Sequence, residues 1–270
     1  MVGAGMSAPP SPLNVEIGPN RRFSFVQADL AQFKKIKNLH GGTVNDVVLS
    51  VVTGALGNHL RARGEDTSEM ELRAMVPVSV RGESEHGALG NKVSAMMAPL
   101  PVWCDDPVER LRLMTAAMGD LKSSGQAVGA QLLTQLADFA PTTIASQAAR
   151  LQPQQRFFNL VVTNIPGPQI PLYVLGREME ALYPMVPLAR RQALCIGIMS
   201  YNGQLNFGLI GDFDAMTELE SFGLDLTAAI EDLVAASPGV KRSSQARTPA
   251  SEPAAARRSN SARSSSRAAS

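Results

Sequence analysis

The stretch Thr43–Leu60, TVNDVVLSVVTGALGNHL, carries the clearest folding signal in this 270-residue chain. At its start a hydroxyl at Thr43 precedes a carboxylate at Asp46 by three residues, which is the pattern of a helix capping box. The valines and leucines that follow recur at helical spacing, and Gly64 marks the end of the pattern. We therefore predict a buried helix that begins at Thr43.

Small side chains form a second strip along this predicted helix, at Ser50, Gly54 and Gly57. A glycine inside a helix costs about 1 kcal/mol relative to alanine. We therefore expect a close neighbour over this strip, either a strand or a ligand.

Before and after this helix in the sequence, apolar residues recur with periods of two or 3.6 residues, which predict further strands and helices. The predicted strands lie near 23–26 and at 72–80, 93–100, 157–165, 194–201 and 204–210. The other predicted helices lie at 29–39, 106–123 and 126–150, and a last helix is capped by Thr217–Glu220 and ends before Ser237. Asn202-Gly203 predicts a hairpin turn. This order predicts a mixed α/β fold around one core.

The composition is that of a globular protein, with 44% hydrophobic residues, 18% charged residues and a net charge of +1. The last thirty residues hold seven basic side chains and one acid, a net charge of +6, which leaves −5 for the rest. We predict a disordered basic Ser/Ala/Arg tail at 239–270, a Pro-rich linker at 1–20 and a folded domain at 21–238. The absence of a basic field over the folded part argues against nucleic acid as a partner.

Several classes of protein are excluded by what the chain lacks. Its two cysteines, Cys104 and Cys195, are far apart in sequence, and its three histidines are scattered without a metal-binding pattern. We therefore expect no disulfide scaffold and no metal site. No segment reaches the roughly 18 apolar residues of a membrane helix, and the first residues do not form a secretory signal. We predict a cytoplasmic protein and leave open a peripheral position at the inner face of the membrane or on lipid droplets.

Two polar pairs are candidate binding residues. Asn45 and Asp46 at a helix start are explained by capping, or else they contact a ligand or lock another domain. Arg81 and Asn91 flank a Gly-rich loop after a strand, where they form either a phosphate clamp or a solvated strand edge.

A third candidate is Asn164, which precedes Pro166, Gly167 and Pro168. Turn chemistry is one explanation of this segment. The alternative is a loop that presents backbone groups to a substrate.

Read together, four segments resemble the bacterial wax ester synthase/diacylglycerol acyltransferase family. They are Thr43–Ser50 with its Asn-Asp pair, Leu72–Arg81 followed by Leu89–Val93, Thr163–Pro168 followed by Pro171–Tyr173, and Leu182–Pro184 followed by Ser200–Gly208. Their order and spacing between about residues 12 and 236 make the resemblance specific. Pro12-Leu13-Asn14 also resembles the interdomain crossover of that family.

This resemblance implies one half of a two-lobed, chloramphenicol-acetyltransferase-like fold with a tunnel between the lobes. It also implies transfer of an acyl group from acyl-CoA, a co-substrate rather than a resident cofactor, to a diacylglycerol or a fatty alcohol. The products would be triacylglycerol or wax ester. Asn45, Asp46 and the loop at 164–168 would lie near the face shared with the other lobe.

The chain departs from the family in its histidines, since it contains no His-His-x-x-x-Asp-Gly motif. In the family this motif supplies the base from the N-terminal half, and loss of a general base typically costs about 10²–10⁴ in rate. We therefore expect no catalytic residue in this chain and little or no activity from the chain alone. Its first methionines would then mark a split enzyme, a truncation or a mis-called start codon.

Two alternatives stay open. The chain could be a non-catalytic lipid- or acyl-CoA-binding or scaffold module that needs or regulates a histidine-bearing partner half. It could instead be an acetyl-transferring detoxification or condensation enzyme on the same fold. If the chain is one half of a two-lobed protein, catalytic or not, an apolar face of several hundred Å² should be exposed. Such a face predicts an obligate partner half, self-association or adsorption to a membrane or lipid droplet.

Overall fold

The computed structural model of this chain describes residues 8–79, 93–123 and 157–240. Its strands are β1 (Arg21–Asp29), β2 (Glu71–Ser79), β3 (Val93–Pro101), β4 (Leu160–Pro166), β5 (Tyr173–Val174), β6 (Arg177–Glu178), β7 (Leu194–Tyr201) and β8 (Gln204–Asp212). Its helices are α1 (Leu30–His40), α2 (Val44–Ala62), α3 (Pro107–Ser123) and α4 (Leu219–Ala235).

A six-stranded sheet with the order β1-β8-β7-β4-β2-β3 forms the centre of the fold. Strand β4 runs parallel to β2 and β7, and the other neighbouring pairs are antiparallel. The predicted mixed α/β fold is therefore confirmed. The parallel pairing brings the carboxyl ends of β2, β4 and β7 to one edge of the sheet.

The hydrophobic core lies between the helices and one face of the sheet. Alternate strand residues such as Leu160 and Val162 pack there with α2 and α4 side chains such as Leu56 and Phe222. The intervening residue, Val161, belongs to a smaller cluster on the opposite face. This alternation follows from the two-residue period of a strand.

Three of the local predictions are confirmed. Thr43 is the N-cap of α2 and forms the predicted capping box with Asp46. Asp106 Oδ1 accepts the Glu109 N–H at 2.7 Å at the start of α3. Asn202 and Gly203 have φ values of 44° and 81°, so they form a hairpin turn whose two central residues are both left-handed.

Two local predictions are wrong. Thr217–Glu220 does not form a side-chain cap, because the N-cap of α4 is Glu218 and its side chain makes no capping hydrogen bond. Strand β4 begins at Leu160 rather than at Phe157. The helix predicted at 126–150 and the tail from residue 241 onward lie outside the described residues.

The segment predicted as a linker packs against the folded core. Residues 8–20 form neither helix nor strand, yet Leu13 is buried and its carbonyl accepts the Ala193 N–H at 2.8 Å. The Gly18 N–H donates to Asp212 Oδ2 at 2.8 Å. These and other hydrogen bonds hold the segment to the domain.

None of the helices in the described parts of the chain combines the length and the apolar character needed to cross a membrane.

Candidate functional site

Two of the predicted site residues meet at the edge where the parallel strands end. The Asn164 Nδ2 atom lies 3.5 Å from Asn45 Oδ1, and both side chains are half-buried. Asn164 belongs to β4, in register with Ile198 of β7, so it is a strand residue and not part of the turn. Asn45 belongs to the first turn of α2. The contact therefore joins the end of a central strand to the start of the most buried helix.

Asp46 lies beside this pair and is almost wholly enclosed, with 2% of the residue exposed. Its Oδ2 atom accepts the Thr43 N–H at 2.8 Å, and Thr43 Oγ1 accepts the Asp46 N–H at 3.3 Å. Among the described residues, Asp46 Oδ1 has no hydrogen-bond partner. Capping thus accounts for one carboxylate oxygen, and the other is a buried acceptor for which the described chain supplies no donor.

The loop after β4 is fixed by contacts with the β7–β8 hairpin. The Gly167 N–H donates to Ser200 Oγ at 3.2 Å, and the Asn202 N–H donates to the Pro168 carbonyl at 3.1 Å. A Cβ atom at Gly167 would overlap the Ser200 carbonyl oxygen, so only glycine allows this approach. Pro166 and Pro168 on either side are exposed. The loop is a rigid, partly exposed feature beside Asn164.

The remaining predicted site residues, Arg81 and Asn91, lie outside the described residues.

The histidines that the structure describes have structural partners. His40 Nε2 lies 3.0 Å from Ser237 Oγ, and His59 Nδ1 lies 3.3 Å from Asp225 Oδ2. His59 is about 21 Å further along α2 than Asn45, given the rise of 1.5 Å per residue. His86 lies outside the described residues.

Neither cysteine is suited to nucleophilic catalysis. Both are buried and free. Burial raises the pKa of the Cys195 thiol to about 12 and also raises the pKa of Cys104. Both thiols therefore stay protonated at neutral pH, and the protonated form is a poor nucleophile.

Sequence reasoning missed a buried arginine that stands next to α2. The Arg110 side chain of α3 lies over Gly54, where a Cβ atom would come within 2.5 Å of its Nη2 atom. Its Nε atom donates to the Ser50 carbonyl at 3.0 Å, and Nη1 donates to the Cys104 carbonyl at 2.8 Å. The expectation of a strand or a ligand over the small strip is corrected here. The neighbours are this arginine and, at Gly57, the Val102 carbonyl.

Arg110 has a structural role. Burial lowers the pKa of the guanidinium, although nearby Cys104 and Asp105 oppose the shift. Its hydrogen bonds go to the Ser50 carbonyl of α2 and the Cys104 carbonyl before α3, so the arginine ties these two segments together inside the core. The small strip of α2 was the signal that could have identified it.

Two protein-family profiles match parts of this sequence. The profile described as the WS/DGAT C-terminal domain matches residues 89–234. The profile described as the wax ester synthase/diacylglycerol acyltransferase catalytic domain matches residues 1–48. Asn45 and Asp46 therefore fall in the second match, and Asn164 and its loop fall in the first.

Curated proteins similar to this chain include several mycobacterial acyltransferases. One relative from Mycobacterium tuberculosis, named a putative diacylglycerol O-acyltransferase, is 36% identical over 241 residues, covering 87% of this chain and 48% of the relative. Another from the same species, named a probable diacylglycerol O-acyltransferase, is 33% identical and covers 87% of this chain and 52% of the relative. The chain thus spans about half the length of the curated relatives it matches.

Solved structures give the same pattern of partial coverage. The wax ester synthase/diacylglycerol acyltransferase from Marinobacter aquaeolei is 29% identical, with a TM-score of 0.68, covering 85% of this chain and 52% of that protein. A cyclization-docking bidomain of a nonribosomal peptide synthetase from Sorangium cellulosum is 14% identical, with a TM-score of 0.56. The second likeness concerns the fold alone.

Proposed function

The chain belongs to the wax ester synthase/diacylglycerol acyltransferase family, and from that premise we propose that it supplies the C-terminal half of an acyl-CoA-dependent O-acyltransferase. The acceptor is a diacylglycerol or a fatty alcohol. The observation that carries this proposal is the contact between Asn45 and Asn164. It brings a residue from the catalytic-domain match against a residue from the C-terminal-domain match.

The proposed reaction needs a base, a thioester and a hydroxyl. The acceptor oxygen attacks the thioester carbonyl carbon, the base removes the hydroxyl proton, and the bond to sulfur breaks so that CoA leaves as the thiol. The described histidines that this chain carries are held by Ser237 and Asp225. We therefore assign the base to the histidine motif of the other half, whether that half is part of the same polypeptide or a separate one.

This chain would contribute polar groups around the reacting carbonyl. Each asparagine amide has two N–H donors, so the Asn45–Asn164 pair has donors beyond the one in their contact. Donors of this kind stabilise the negative oxygen that forms during acyl transfer. The Oδ1 atom of Asp46 is buried without a donor among the described residues, so Asp46 would act on the site through the first turn of α2 and the neighbouring Asn45. Arg81 and Asn91 remain candidates for binding the phosphates of CoA.

The test is reconstitution of the two halves. The 270-residue chain is co-expressed with the histidine-bearing N-terminal half of the Marinobacter enzyme. CoA thiol release is then measured with a long-chain acyl-CoA and, in separate reactions, a diacylglycerol or a long-chain alcohol. We expect ester formation from the pair and none from this chain alone.

Two further results decide between the functional hypotheses. A histidine-to-alanine change in the partner half should abolish turnover by the pair while leaving the pair assembled. If an assembled pair with intact histidines binds acyl-CoA without forming ester, the catalytic proposal fails. The chain would then be better described as a lipid- or acyl-CoA-binding module.

A further inference from the structure

The segment between β4 and β7 projects from the sheet as a two-stranded arm, residues 169–180, which contains β5 and β6. Its base is firmly attached. The Tyr201 hydroxyl accepts the Leu172 N–H at 2.8 Å and donates to the Met179 carbonyl at 2.9 Å, so one side chain holds both ends of the arm. Gln169 adds two bonds, donating to Ser200 Oγ at 3.0 Å and accepting the Gly203 N–H at 3.1 Å.

The tip of the arm is apolar and exposed. Tyr173 is 63% exposed, Val174 is 60% exposed and Leu175 is 99% exposed. Five of the twelve large hydrophobic side chains that are exposed in the described chain lie in this short arm, so the apolar surface is concentrated there. Soluble proteins rarely expose contiguous apolar surface without a partner for it.

The backbone at the tip is also unusual. Leu175 has a φ of 52° and Gly176 a φ of 78°, so the turn places a leucine in the left-handed region. Asparagine and glycine occupy such positions with little strain, whereas leucine does so at a cost in free energy. Against the described residues, Leu175 makes no packing contact that would offset this cost, because its side chain is almost fully in solvent.

We propose that this arm docks onto the histidine-bearing half of the family architecture and that Leu175 and Val174 enter an apolar pocket there. The inference rests on the proposed function. The arm follows the short loop after Pro166, at the edge where Asn164 meets Asn45, so it continues the surface assigned to the other half. That other half exists in the relatives, since this chain accounts for 47–52% of their length.

Charge favours a protein pocket over an anionic lipid surface. The arm carries Arg177 next to the exposed acids Glu178 and Glu180, so its net charge would oppose binding to anionic lipids. A projecting tip also fits a concave pocket better than it fits an identical projecting tip on a second copy.

The test uses the full chain and the co-expressed histidine-bearing half of the Marinobacter enzyme. Leu175→Asp replaces the most exposed leucine of the arm, and Leu224→Asp is the matched control on α4, where Leu224 is 59% exposed. Each variant is first checked for an unchanged unfolding midpoint. We expect Leu175→Asp to weaken binding to the other half at least about tenfold and Leu224→Asp to leave it unchanged.

A second variant tests the attachment of the arm. Tyr201→Phe removes the hydroxyl that bonds Leu172 and Met179 but keeps every residue of the tip. We expect weaker binding to the other half, since a loosened arm must be ordered again on docking. Equal binding by the parent chain and Leu175→Asp would overturn the proposal.

Other occupants would give different results. Loss of self-association in Leu175→Asp, with binding to the other half unchanged, would assign the tip to a second copy. Loss of binding to phosphatidylglycerol vesicles in Leu175→Asp, again with binding to the other half unchanged, would assign the tip to a membrane. Both results would overturn the proposal. If binding depends on the arm but no ester forms, only the proposed function is contradicted. If Leu175→Asp leaves ester formation unchanged, only the docking of the arm is contradicted.

Discussion

The Asn164 side-chain nitrogen lies 3.5 Å from the Asn45 side-chain oxygen, across a separation of 119 residues in sequence. This contact fixes the start of α2 against the end of β4. It is half-buried and long for a hydrogen bond, so its own contribution to the free energy of unfolding should be modest. The contact is important because it joins a residue of the catalytic-domain match to a residue of the C-terminal-domain match.

We predict a measurable coupling between these two asparagines. In a double-mutant cycle of urea unfolding, Asn45→Ala and Asn164→Ala should show a coupling of about 0.5–1 kcal/mol. As a control, Asn14→Ala should combine additively with Asn45→Ala, because Asn14 bonds Asn159 before the other end of β4. Strict additivity of the first pair would mean that the two amides do not interact.

Asp46 should affect activity more than stability. Asp46→Asn keeps one oxygen to accept the Thr43 N–H, so it should cost under about 1 kcal/mol of unfolding free energy. At the Oδ1 position, however, an amide nitrogen would place two N–H groups where the described residues supply no acceptor, and this should displace the first turn of α2 and Asn45 with it. We expect ester formation by the reconstituted pair to fall about tenfold or more, a loss of about 1.4 kcal/mol.

The matched control for this change is Asp29→Asn. Asp29 Oδ1 accepts the Ala31 N–H at 2.7 Å at the start of α1, so both variants alter a carboxylate that caps a helix. Asp29→Asn should leave ester formation unchanged. If both variants leave activity intact, Asp46 is a structural cap and nothing more.

Local signals allowed most of the fold to be predicted. The capping box at Thr43, the Asp106 cap and the Asn202-Gly203 turn each depend on residues that are close in sequence, and each forms as predicted. The predicted family resemblance is also confirmed, because it rested on the order of several segments.

What could not be predicted depends on contacts between distant residues. The strip around Gly54 showed that something lies close to α2, but only the packing of α3 identifies it as Arg110. The predicted strand at 157–165 already contained Asn164, but its contact with Asn45 depends on how α2 packs against the end of β4. The exposed tip of the arm gave no periodic signal because β5 and β6 have two residues each.

Asp212 should make the domain sensitive to acid. Burial by itself would raise the pKa of this carboxyl, but the N–H groups of Ala215, Gly18 and Asp214 and the charge of Arg21 together hold it below its usual value. A lowered pKa in the folded state adds stability at pH values above the unfolded pKa of about 3.9. That stability is lost as the pH falls through the folded value.

Asp212→Asn should therefore destabilise the domain at pH 7, by about 2 kcal/mol, and by progressively less as the pH falls below about 4. Urea unfolding at pH 7, 4 and 3 checks this. Asp214→Asn changes an exposed neighbouring carboxylate and should shift stability by less than about 0.5 kcal/mol. A constant deficit for Asp212→Asn at all three pH values would contradict the pKa argument.

The contact between Arg110 and Gly54 predicts that Gly54→Ala destabilises the domain when the arginine is present and stabilises it when the arginine is removed. Gly54→Ala places a methyl group 2.5 Å from Nη2 of a guanidinium that is held by the Ser50 and Cys104 carbonyls. We expect a net loss of about 1–2 kcal/mol despite the better helix propensity of alanine. Arg110→Ala alone should cost about 3 kcal/mol, because it leaves a cavity and removes the hydrogen bonds to the Ser50 and Cys104 carbonyls.

In the Arg110→Ala background the obstacle is gone, so Gly54→Ala should instead stabilise the domain by about 0.5–1 kcal/mol through helix propensity. Gly119 of α3 is the matched control, since a Cβ atom there meets nothing within 4 Å. Gly119→Ala should stabilise the domain by about 1 kcal/mol in both backgrounds. Urea unfolding of the parent chain and the five variants measures each value. A loss from Gly54→Ala that persists without the arginine would show that the α2 strip is kept small for some other neighbour.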